Sequence, residues 1–120
     1  MNLLNLENEK IKTVTVNGFQ FSIRYMSPLD RIRVTQQRMK YQDGNSVEAL
    51  TQDEFIFLEN VAMCDICTEK FPDNFKEYES CIKWDDISMI NGLAHEIRTH
   101  TSDIEQKLKK NRPAERGAES

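Results

Sequence analysis

The sequence predicts an α+β domain, mostly helical, in which an N-terminal β-hairpin packs with about three helices. Three observations carry that prediction. Asn17-Gly18 separates two alternating runs and leads into Ser27-Pro28-Leu29-Asp30, so a hairpin signal meets a helix-start signal. Thr51-Gln52-Asp53-Glu54 has the spacing of a capping box ahead of an apolar-rich segment. After Trp84-Asp85-Asp86, Ile87, Ile90, Ala94, Ile97, Thr101, Ile104 and Leu108 recur at alternating three- and four-residue steps, a helical seam.

Residues 1–11 read as a flexible leader, polar apart from Leu3, Leu4, Leu6 and Ile11. The hairpin spans 12–25. A type I′ turn needs positive φ at both central residues, which Asn and Gly tolerate best. Val14 and Val16 then share one strand face, as do Phe19, Phe21, Ile23 and Tyr25. Over 28–41 a helix follows: Ser27 caps it, Pro28 suits its first position, and Leu29, Ile32, Gln36 and Met39 form a weakly apolar stripe flanked by Val34. Asp43-Gly44-Asn45-Ser46 breaks it. The second helix covers 52–69, with Phe55, Leu58, Ala62 and Ile66 as its main stripe, and is the candidate central core helix. Phe71-Pro72-Asp73-Asn74-Phe75 reads as a loop, with a further helical turn over 76–80. The last helix covers 86–110, roughly 36 Å long at 1.5 Å per residue, with Asp85 or Asp86 as cap and Lys107, Lys109 and Lys110 opposite the negative end of the dipole. Off its seam, Gly92 costs about 1 kcal/mol against Ala, consistent with a close helix crossing. Residues 111–120 read as a disordered tail.

At 120 residues the chain fits one domain. A hydrophobic content of 38% against 30% charged residues leaves a modest core, one that a partner could complete. No apolar run approaches the roughly 18 residues of a membrane span, and the first residues lack a secretory pattern, so a soluble intracellular protein is expected. A net charge of −4 and a pI near 5.2 argue against dedicated binding to a phosphate backbone. The basic stretch 107–116 is interrupted by Glu115 and lacks aromatic residues.

Chemistry-bearing residues are sparse. Cys64, Cys67, Cys81 and His95 are four potential zinc ligands, but Cys81 stands alone and His95 and His100 are off a shared helix face; buried, reduced thiols fit better, and no metal or other cofactor is expected. A redox pair is less apt still, because Cys64-Asp65-Ile66-Cys67 falls near a helix C-terminus. Asp85-Asp86 reads as a cap, and His95 or His100 as a helix-surface histidine. With no phosphate loop or nucleophile motif, an enzyme is not expected. The last helix is the packing face of its own domain, or else part of it overhangs the core and meets another helix. On the second reading Ile97, Thr101, Ile104 and Leu108 are the protein-binding residues.

The run from Lys12 through Asp30, followed by helices and then Trp84 ahead of a long final helix, resembles the small tail assembly chaperones of tailed bacteriophages. The resemblance spans about residues 12–110 and lies in pattern and order. It implies a non-enzymatic protein of the host cytoplasm that coats the tape measure protein, keeps it soluble and helps recruit tail tube protein. No nucleic acid or membrane enters that role, self-association is open, and many members also exist as a longer frameshifted product. Alternatives are a structural or connector protein of the phage particle and a small zinc-dependent regulator that binds nucleic acid.

Overall fold

The computed structural model describes residues 9–44, 46–75 and 81–110. The leader up to residue 8, the 76–80 turn and the tail from 111 lie outside the described residues. The fold is α+β and mostly helical: strands β1 (Ile11–Val16) and β2 (Phe19–Arg24), helices α1 (Pro28–Gln42) and α2 (Gln52–Cys67), strand β3 (Thr68–Lys70) and helix α3 (Ile87–Lys110), with single 3-10 turns at Val47–Ala49, Asp73–Phe75 and Cys81–Lys83.

The hairpin forms as its sequence dictates. Asn17 and Gly18 both take positive φ, 50° and 85°, and Val16 pairs with Phe19 across the two-residue turn. Directly opposite residues of an antiparallel pair share a face, so the Val14–Phe21 pair puts two apolar side chains on the inner side together with Val16 and Ile23, all four buried. Ser27 then caps α1: its Oγ accepts from Asp30 N at 3.1 Å while Asp30 Oδ2 accepts from Ser27 N at 3.2 Å. Thr51 and Glu54 form the same reciprocal box on α2, at 3.1 and 2.8 Å.

The apolar stripe predicts a second helix to residue 69, but α2 ends at Cys67 and Thr68–Lys70 form a third strand, antiparallel to β2. Phe71 precedes Pro72 and is biased away from helix, which limits any further turn. The free edge of β2 offers unpaired backbone groups that three extended residues can satisfy, and a register irregularity at Ser22/Ile23 absorbs the short fit.

Helix α3 lies against β1 and β2, α2 packs on α3, and α1 packs on α2. The core joins Val14, Val16, Phe21 and Ile23 to Val61, Ala62, Cys64 and Cys67 of α2 and to Ile90, Leu93, Ala94 and Ile97 of α3. Trp84 closes one end, its ring 4.9 Å from Phe75, 5.9 Å from Phe71 and 6.0 Å from Phe21. Gly92 does permit a close crossing, but with a strand: a Cβ there would stand 2.8 Å from Val16 Cγ1.

Candidate protein-binding surface

Of the four residues read as protein-binding on the last helix, Ile97 is 0% exposed, Thr101 3% and Ile104 1%, which corrects the expectation of an overhanging surface at those three, while Leu108 is half-buried. Of the seam, only Ile87 at its start is exposed. The one polar seam residue has a structural duty: Thr101 Oγ1 accepts from the Met26 amide at 2.8 Å and donates to Ile97 O at 2.7 Å, fastening the strand-to-helix junction to α3. His100, expected on the surface, is also buried, with a ring nitrogen 2.8 Å from Lys10 O, whereas His95 is exposed.

All three cysteines are buried and reduced. Burial pushes the Cys67 thiol up to about 12. A hydrogen bond with Cys64, then burial, then the Asp65 carboxylate push Cys81 up as well. The Cys67 and Cys81 thiols hold their protons, and all three cysteines serve as small core hydrophobes. Among the described residues no group of three or more His, Cys, Asp or Glu gathers as a metal site. Asp86 caps α3, its Oδ1 accepting from Met89 N at 3.2 Å, and also receives Asn17 Nδ2 at 3.5 Å.

Two polar anchors set the rotation of α1, and neither was evident from local sequence. Arg24 grips Asp30 in a bidentate contact along one guanidinium edge, Nε to Oδ2 at 3.1 Å and Nη2 to Oδ1 at 2.8 Å, and its Nη1 reaches Glu69 of β3 at 2.7 Å. Burial alone would raise the Asp30 carboxyl, but Arg24 and the Ser27 donors outweigh it and hold the group below its ordinary value. At the other end, Asp65 accepts from Gln37 Nε2 at 3.1 Å, from the Tyr41 hydroxyl and from the Cys81 amide at 2.7 Å. Asp65 thereby joins α1, α2 and the Cys81 turn.

The consequence is that α1 presents its apolar stripe outward. At about 100° per residue, Asp30, Val34, Gln37 and Tyr41 form the side turned to the domain, and Leu29, Ile32, Gln36 and Met39 form the opposite side. Leu29 is 53% exposed, Ile32 57% and Met39 58%, so the stripe read from sequence is real but faces solvent. Ile11 on β1, 56% exposed, lines a depression of about 400 Å³ together with Leu29, Tyr25 and Arg33, and so extends the patch. A smaller apolar pair, Ile56 and Ile87, lines a groove of about 420 Å³ beside Asp53 and Glu54. Among the described residues, no helix is long and apolar enough to cross a membrane. No protein-family model, curated protein or solved structure matches the chain.

Proposed function

We propose that the chain is a non-enzymatic, protein-binding tail assembly chaperone of a tailed bacteriophage, one that shields apolar helical segments of the tape measure protein in the host cytoplasm and helps bring tail tube protein to it. The observation that supports this reading is the outward apolar stripe of α1, Leu29, Ile32 and Met39, joined by Ile11. Four large hydrophobic side chains, each more than half exposed and gathered on one side, are an interaction surface rather than scattered exposure. The resemblance in the order of hairpin, capped helix, Trp84 and long final helix supplies the identity of the partner.

Co-expression with the tape measure protein of the same phage tests the proposal. The expected result is a larger soluble fraction of that protein and its co-purification with this chain. Unchanged solubility without co-purification would overturn the reading, and recovery of the chain from purified virions would favour the structural-protein alternative.

A further inference from the structure

We infer that the outward face of α1 is a docking surface for an acidic amphipathic helix. The inference rests on the protein-binding reading above and names the chemistry of the segment bound. Leu29, Ile32 and Met39 span about 15 Å of helix axis at 1.5 Å per residue, the reach of roughly three turns of a partner helix. Charge selects that partner. Helix α1 carries four basic residues, Arg31, Arg33, Arg38 and Lys40, against the single acid Asp30, within a chain of net charge −4. Asp30 is buried beneath Arg24, so it does not offset the basic residues at the outward face.

The basic groups are also placed around the stripe. By helical spacing Arg33 and Lys40 border one side of it, next to Leu29 and Gln36, and neither side chain makes an ion pair with a described residue. Arg31 lies beyond the other border and meets Glu105 of α3 at 3.1 Å, an exposed pair that leaves it near the rim. Arg38 is turned away, stacked over Phe55 at 4.6 Å. Apolar anchors with unpaired cations beside them fit a helix whose Leu or Ile stripe is bordered by Glu and Asp. The second exposed pair, Ile56 and Ile87, lies beside Asp53 and Glu54, where such a helix would be repelled.

Two designed amphipathic peptides of about three heptads, with the same Leu stripe bordered by Glu in one and by Lys in the other, test the inference by fluorescence anisotropy against the full chain. The acidic peptide is expected to bind at least about tenfold more tightly than the basic one and to weaken with added salt. Ile32→Glu and Met39→Glu each remove about tenfold or more of that affinity, the double variant Arg33→Glu/Lys40→Glu reverses the preference, and Ile56→Glu leaves it unchanged. Circular dichroism verifies that each surface variant is folded. Equal binding of both peptides, binding of neither, or binding indifferent to Ile32→Glu would overturn the inference. So would sedimentation showing a self-associated wild type that Ile32→Glu makes monomeric, since a second copy would then occupy the face. Failure of the functional reading looks different: the acidic peptide binds through α1 while the tape measure protein stays insoluble. Conversely, undiminished solubilisation by the Ile32→Glu chain would retain the function and remove this surface from it.

Discussion

Replacing Thr101 by Val should destabilise the domain although it conserves shape in the core. The Val side chain fills nearly the same volume, so packing against Ile97 and Ile104 changes little. What disappears is the acceptor for the Met26 amide, at 2.8 Å in a buried setting. A buried N–H left without a partner costs about 1 to 3 kcal/mol. The hydroxyl's bond to Ile97 O adds little, because that carbonyl also lies within the α3 hydrogen-bond ladder. A loss of about 2 kcal/mol lowers the melting temperature by very roughly 8 °C in a domain of this size. Urea titration of wild type, Thr101→Val and Thr101→Ser is the assay. The Ser variant keeps the hydroxyl and should lose no more than about 1 kcal/mol, the value of one buried methyl group. A Val variant as stable as wild type, or more stable than the Ser variant, would refute the reasoning by showing that the Met26 amide finds another acceptor. The folded Val variant should bind the acidic peptide as wild type does, since Thr101 is 3% exposed and no part of the surface.

Gly92→Ala sets a helix-propensity gain of about 1 kcal/mol against a Cβ 2.8 Å from Val16 Cγ1, an overlap that costs about 1 to 3 kcal/mol in a packed core. A net loss near 1 kcal/mol is expected, with Val16→Ala relieving it in a double-mutant cycle; additive losses would contradict the contact. Asp30 titrates lower in the folded chain than its unfolded value of about 3.9, so the stability it contributes is complete above that value and lost as pH falls through the folded pKa. Asp30→Asn should therefore be less stable near neutrality and show a shallower loss in acid urea titrations than wild type; parallel curves would exclude the Arg24 linkage. Cys64, Cys67 and Cys81, each at most 1% exposed, should resist an aromatic disulfide reagent at pH 8 and react fully in denaturant, and prompt native labelling of any of them would contradict their burial.

Features governed by near neighbours were legible in the sequence. The Asn17-Gly18 turn and both capping boxes follow from residues within four positions of each other, and each formed as written. The rotation of α1 was not legible, because it depends on Arg24 gripping Asp30 and on Gln37 and Tyr41 reaching Asp65, 28 and 24 positions away. A weak stripe that reads as a core face loses to polar ties of that strength, and the mixture of Arg33 and Lys40 among its apolar residues was the available signal. Strand β3 is not legible in the sequence for a related reason: three residues have no strand periodicity of their own and depend on the free edge of β2. The α3 seam was found with its correct spacing, yet periodicity cannot separate a face that packs at home from one that docks abroad. That distinction depends on how much of the domain lies beneath, and here it covers Ile97, Thr101 and Ile104.

The contacts between the first and last elements also fix when this fold can close during synthesis. Val16 meets Gly92, the Met26 amide meets Thr101, and Lys10 O meets His100, each pair separated by 75 or more residues. The hairpin therefore leaves the ribosome without its cover. At about 5 to 20 residues per second, translation from Met26 to Ile104 occupies roughly 4 to 16 s, during which Phe21 and Ile23 have at most α2, β3 and the Phe71 and Trp84 rings to collapse on, without α3. Over that interval the nascent chain depends on translation speed and on whatever else in the cell engages an uncovered β-sheet, well before its finished surface is ready for use.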